Sequence, residues 1–218
     1  MVSQRTDEAL GLMKFRYRRS KKLPRSFYLR PTTTVAKELL GKYLVRNRGR
    51  VRLVGRIVET EAYCEGDPAS HSFSGRTRRN DVMFWSGGHL YVYFTYGMHF
   101  CANVTTWKEG TGEAVLIRAI EPVDGVEVMI KNRFGRKSRT STPGTIPRNL
   151  ANGPAKLCQA LRIQRGQNGT DLLGEEIYVL DAPALPGPQV GASARVGIQK
   201  GKEKKWRFFE RGSAWLSR

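Results

Sequence analysis

From Val51 to Tyr63 the chain reads as extended backbone, rich in β-branched residues, and a stretch of that length finds partners for its peptide groups only inside a sheet. The reading is a long β-rich run in two or more pieces around Gly55. Its last part, Ile57-Val58-Glu59-Thr60-Glu61-Ala62-Tyr63, alternates, so Glu59, Glu61 and Tyr63 share one face and Val58, Thr60 and Ala62 the other. Two carboxylates and a phenol on one face admit two readings. One is a solvated strand surface; the other is a site, because a buried carboxylate is expensive without partners or a task. The pair matches in type the two acids of a sugar hydrolase. Side chains two apart on one strand lie side by side, however, whereas that chemistry needs carboxylates flanking the bond.

The rest of the chain supplies helices and further strands. Residues 34–41 read as a short helix, with Thr34 as N-cap and Gly41 as its stop. Strands are expected at 43–45, 114–120, 177–180 and 206–209, and a tight-turned hairpin at 90–95 and 100–106 around Tyr96-Gly97. Helix is expected over 123–132 and again from Asn152, where Pro154 occupies a first turn. A Pro-, Ser- and Arg-rich loop covers 136–148. With no internal repeat and one core, these elements predict a single mixed α+β domain over residues 25–218. Residues 1–24, ending in a Lys- and Arg-rich stretch closed by Pro24, read as a flexible basic arm.

Charge narrows the partner. Lys and Arg number 38 against 19 Asp and Glu, a formal net charge of +19. A surface so unbalanced repels itself unless a polyanion neutralises it, which points to nucleic acid but does not separate a binder from an enzyme. The three cysteines, Cys64, Cys101 and Cys158, form no CxxC pair, and the three histidines have no HxxxH spacing. No metal site and no cofactor are therefore expected, and scattered free thiols fit a reducing, intracellular compartment. No apolar run is long enough to span a membrane.

Three further clusters could carry chemistry. Asp67-Pro68-Ala69-Ser70-His71-Ser72 runs into Gly75-Arg76-Thr77-Arg78-Arg79-Asn80, a histidine followed by arginines suited to phosphate contacts. The hairpin His89-Leu90-Tyr91-Val92-Tyr93-Phe94-Thr95-Tyr96-Gly97-Met98-His99 is dense in aromatic rings. Such rows usually pack in cores, yet a tyrosine at the turn suits a wedge between base pairs. The helix start at Asn152-Gly153-Pro154-Ala155-Lys156 offers backbone N–H groups and Lys156 to a phosphate, though capping alone also accounts for it.

Taken in order, Val58-Glu59-Thr60-Glu61-Ala62-Tyr63, the Asp67–Ser72 string, Leu90-Tyr91-Val92-Tyr93-Phe94-Thr95-Tyr96-Gly97-Met98, Arg118-Ala119-Ile120-Glu121-Pro122, Gly153-Pro154-Ala155-Lys156-Leu157 and Arg207-Phe208-Phe209-Glu210-Arg211-Gly212-Ser213-Ala214-Trp215 resemble the alkyladenine (3-methyladenine) DNA glycosylase family, with hairpin wording closer to its bacterial members. The resemblance implies a curved, largely antiparallel sheet with flanking helices and a protruding β-hairpin. It implies a monomeric base-excision-repair enzyme whose partner is double-stranded DNA containing damaged purines: 3-methyladenine, 7-methylguanine, hypoxanthine or ethenoadenine.

Residue roles follow from the same resemblance. Glu61 would activate water, with Arg118 and the Val196 carbonyl holding it. Tyr63, His71 and Tyr93 would sandwich the displaced base, Ala69 and Leu116 would complete its pocket, and Asn103 would exclude guanine. Tyr96, with Met98 beside it, would fill the gap in the duplex, while Arg76, Arg78, Arg79 and Lys156 would meet phosphates. No lysine stands at the matched catalytic position, so a monofunctional enzyme without Schiff-base chemistry is expected. Two departures stand out: Arg78 replaces the family's proline in Gly75–Asn80, and Cys64-Glu65 follow the strand where a smaller turn is usual. Charge alone also accommodates a non-enzymatic nucleic-acid binder, and paired carboxylates a nucleoside or carbohydrate hydrolase.

Overall fold

The computed structural model describes residues 17–95, 97–135 and 145–217. The run expected in pieces is one continuous strand. β1 (Tyr43–Arg48) and β2 (Val51–Tyr63) form an antiparallel hairpin, and β2 is the spine of the molecule. β5 (Ala114–Asp124) follows one edge of β2 from Val54 to Tyr63. Along the other edge β1 covers the first half and β8 (Arg207–Glu210) the second. With β3 (Leu90–Thr95), β4 (His99–Thr105) and β6 (Ile177–Leu180) the order is β3-β4-β5-β2-β1-β6, every pair antiparallel, and β7 (Val190–Ser193) pairs with β8. The expected α+β domain with a largely antiparallel sheet and flanking helices is what forms.

Gly55 does not interrupt β2. A Cβ there would lie 2.4 Å from Cδ1 of Ile120, so glycine lets β2 and β5 approach closely. Further along, the register slips twice. Ile57 faces Ile120 and Glu59 faces Ala119, leaving Val58 over on β2; Thr60 then faces Ile117, leaving Arg118 over on β5. Paired bulges bend and twist a sheet, which accounts for its curl, and they re-aim the extra residue. The extra residue on β5 is the arginine.

Helices cover the sheet: α1 (Arg25–Tyr28), α2 (Thr32–Glu38), α3 (Val126–Phe134) and α4 (Pro154–Leu161). Val35, Leu39, Leu44, Ile57, Ile117 and Leu157 are fully buried between the layers. Several boundaries differ from expectation, and one strand is unexpected. α2 starts at Thr32 behind Pro31, so Thr34 does not cap it; Thr32 instead bonds the Thr106 hydroxyl at 2.6 Å. Val123 and Asp124 belong to β5, because Asp124 pairs with Val54, and Gly125 at φ 70° is the turn from which α3 begins. β7 is a four-residue strand too short to announce itself in sequence.

Residues 17–23 of the stretch read as an arm lie on the body. Tyr17 is buried beside Tyr43, its hydroxyl on Asp124, and the Leu23 N–H donates to the Val179 carbonyl at 2.9 Å. Residues 1–16, residues 136–144 of the stretch read as a loop, Tyr96 and Arg218 lie outside the described residues. Among those described, no helix is long and apolar enough to cross a membrane.

Candidate active site

The end of β2 resolves the ambiguity left by alternation: Val58 to Ala62 are all fully buried, so its polar face meets protein rather than solvent. Glu61 accepts the Val196 N–H on Oε1 at 2.7 Å and the Tyr63 hydroxyl on Oε2 at 2.8 Å. Arg118, brought inward by its bulge, places Nη1 3.2 Å from Oε2 of Glu61 and Nε 3.1 Å from Oε1 of Glu59. Glu59 also accepts Arg207 Nε at 2.7 Å, and from Ser217 the N–H at 2.6 Å and the hydroxyl at 2.7 Å. Two buried carboxylates thus meet two guanidiniums, the arrangement that makes such burial tolerable.

Above this cluster opens a cleft of about 460 Å³. Tyr63, Tyr91, Tyr93 and His71 supply its aromatic walls. The His71 and Tyr93 rings meet edge to face with centroids 4.4 Å apart, and Nδ1 of His71 lies 3.0 Å from the Tyr91 hydroxyl. The cleft walls desolvate the His71 ring although the residue as a whole stays exposed, and with nearby Arg79 this lowers its pKa from 6.5, which favours a neutral imidazole. Burial also pushes the Tyr91 phenol up to about 12. Tyr63 is raised well beyond the usual phenol range, by burial first and then by Glu61, so it remains a donor to that carboxylate.

Loops close the cleft on either side. Asn80 donates to the His71 carbonyl at 2.8 Å and to the Gly75 carbonyl at 3.0 Å, closing the 75–80 loop despite its missing proline. Arg195, fully buried, pairs with Asp67, donates to the Ala62 carbonyl at 2.9 Å and stacks over Tyr63 at 4.7 Å. That anchors the loop carrying Val196 to the end of β2.

A family model described as methylpurine-DNA glycosylase matches residues 26–214. The chain belongs to that family. A curated relative from Carboxydothermus hydrogenoformans is 47% identical over 197 residues, covering 90% of this chain and 98% of the relative. One from Methanoculleus marisnigri is 48% identical over 199 residues, with the same coverage. One from Chlorobaculum tepidum is 43% identical over 201 residues, covering 91% of each. All three are named for 3-methyladenine DNA glycosylase activity. Membership makes the chain a DNA glycosylase, a hydrolase of DNA repair.

For this glycosylase the structure brings together most residues singled out in sequence. Arg118, Val196, Tyr63, Ala69, His71, Tyr93, Asn103 and Leu116 line one cleft, with Glu61 bonded beneath it. Asn103 and Leu116 face each other across β4 and β5. Met98 stands 69% exposed next to the hairpin turn. Arg76 is paired with Asp81 at 2.7 Å, Arg78 and Arg79 are exposed, and Lys156 donates to Asn152 at 2.8 Å in the first turn of α4, whose Pro154 borders the cleft. Val196 meets Glu61 through its N–H, a contact sequence reasoning did not anticipate. It also missed Tyr91, Arg195, Asn80 and Ser217. Tyr91 and Asn80 stood within the quoted motifs; nothing in the sequence marked Ser217.

Proposed function

We propose that this protein is a monofunctional DNA glycosylase that swings alkylated or deaminated purines out of duplex DNA and hydrolyses the N-glycosidic bond, leaving an abasic site. The single observation that carries this reading is a fully buried carboxylate, Glu61, held by three donors at the foot of an aromatic-walled cleft. A base inside the helix is out of reach, so it must be extruded at a cost of a few kcal/mol. Stacking against Tyr63, His71 and Tyr93 offsets that cost by roughly 1–3 kcal/mol for the stacked base. Tyr96, with Met98 beside it, takes the vacated place in the duplex. Arg76, Arg78, Arg79 and Lys156 meet the phosphates, and Asn103 crowds the amino group of undamaged guanine.

In the chemical step the C1′–N bond breaks with its electron pair leaving on the base. The water oxygen bonds to C1′, and a water proton passes to Glu61. The cationic character developing on the sugar is stabilised by the same carboxylate. A neutral His71 adds no positive charge beside an alkylated, already cationic purine. 3-Methyladenine and 7-methylguanine are the natural leaving groups, with hypoxanthine and ethenoadenine as slower ones. The protein acts as a monomer, inside the cell, on damaged double-stranded DNA.

The test is release of free base from duplexes carrying one lesion each, wild type beside Glu61→Gln, without added metal. Release by wild type and a loss of about 10²–10⁴-fold in the variant is the expected result. Binding without release by either protein would overturn the catalytic assignment, and a borohydride-trapped protein–DNA adduct would overturn the monofunctional one.

A further inference from the structure

Glu59 is the one carboxylate of the strand pair to which the chemistry above gives no task, yet it is as buried as Glu61 and accepts four hydrogen bonds. We propose that Glu59 and Ser217 are positioning residues that restrict Arg118 to one oxygen of Glu61, keeping open on the other the lone pair through which Glu61 takes the proton of water. The inference rests on the reading of Glu61 as general base.

A carboxylate offers about four lone-pair sites over its two oxygens. On Glu61, Oε2 receives the Tyr63 hydroxyl and Arg118 Nη1, and Oε1 receives the Val196 N–H. Three contacts leave one site, on Oε1. A guanidinium beside a carboxylate prefers two parallel hydrogen bonds, one to each oxygen. Arg118 gives Glu61 only Nη1. The opposite side of its plane is engaged: Nε on Glu59 at 3.1 Å, and Nε and Nη2 each 3.2 Å from the Ser217 hydroxyl. Because the fork is rigid and planar, fixing Nε fixes where Nη1 points. Ser217 is itself locked, donating both its N–H and its hydroxyl to Glu59. Remove either anchor and Arg118 is released to grip both oxygens of Glu61, occupying the last site.

The experiment pairs single-turnover base release with crystal structures of the free protein, for wild type, Glu59→Gln, Ser217→Ala and Ser217→Thr. Expected are losses in the release rate of about 100-fold for Glu59→Gln and about 10-fold for Ser217→Ala, neither exceeding the ~10²–10⁴ that a general base supplies. Affinity for undamaged duplex, set by phosphate contacts, stays within about twofold. Ser217→Thr, which keeps the hydroxyl, restores the rate. The crystal structures show Arg118 bridging both oxygens of Glu61 in the two impaired variants and only one in wild type. Wild-type rates in folded Glu59→Gln and Ser217→Ala, or an Arg118 that does not move in either, would overturn the proposal. Should Glu59→Gln fail to fold, Ser217→Ala decides on both readouts. Should wild type release no base, the general-base reading falls, while the position of Arg118 still decides whether Glu59 and Ser217 restrain it.

Discussion

The N–H of Val196 donates to Glu61 at 2.7 Å across a separation of 135 residues. Nothing local brings them together. The loop bearing Val196 is tied down one residue earlier, where Arg195 enters the protein to meet the carbonyl of Ala62, next to Glu61 on β2, and Asp67 just beyond that strand. The site is therefore set by a long-range ion pair outside it.

Arg195→Leu should cost about 3–5 kcal/mol of folding stability, because Asp67 is left charged and buried. Lys204, 3.8 Å from Asp67, is too distant to replace a bidentate partner. Removing the charge as well, in Asp67→Asn/Arg195→Leu, should recover much of the loss. Urea denaturation of the single and double variants checks this; equal losses in both would show that the cost is packing alone.

Gly55→Ala should destabilise by about 1–3 kcal/mol through overpacking, since the new methyl meets the Ile120 side chain inside a fixed sheet. Adding Ile120→Val removes Cδ1, the nearest atom, and should return part of that stability. Thermal melts of the two variants beside wild type measure it.

His71 should titrate below 6.5 in the folded protein, its partly desolvated imidazole and the nearby Arg79 both resisting a proton, with its remaining exposure keeping the shift small. Around and below pH 6.5 the unfolded chain then binds more protons at this residue than the folded one. Its contribution to stability is thus full above the unfolded value and declines as pH falls from there through the folded pKa. Histidine NMR gives the midpoint, and comparing the acid-side loss of stability with that of His71→Gln isolates the contribution. A midpoint at or above 6.5 would contradict it.

Arg78→Ser should lower the slope of log affinity for duplex DNA against log salt by about one, the signature of one lost phosphate contact. Arg76→Ser should change it less, because Arg76 already serves Asp81. A salt titration of binding with both variants separates them.

Much of this was legible in sequence. Alternation put Glu59, Glu61 and Tyr63 on one face, as the strand does, and β-branched composition marked β2. Alternation could not decide whether that face was wet or buried, because the answer lies with Arg118, Arg207 and Ser217, far along the chain. The inward turn of Arg118 was equally hidden: a bulge is a property of two paired strands, and neither strand signals it alone. Motif strings located Tyr63, His71 and Tyr93, whereas the support for the Val196 loop, Arg195 on Asp67, depends on a fold that brings residues 128 positions apart together. Helix boundaries slipped where pairing outweighed propensity, as when Asp124 joined β5 through Val54.

The edge of β2 that carries both glutamates is completed by β8, and Arg207 of that strand bonds Glu59 directly. Along the chain the two carboxylates come first, and three of their partners, Val196, Arg207 and Ser217, follow 135 to 158 positions later. A chain cut before Val190 would keep Tyr63 and Arg118 for Glu61, but it would lack Arg207 and Ser217 for Glu59 and leave that edge of β2 open. Loss of β8 alone would thus unpair a buried acid as well as open a sheet edge, so this strand matters to the site out of proportion to its four residues.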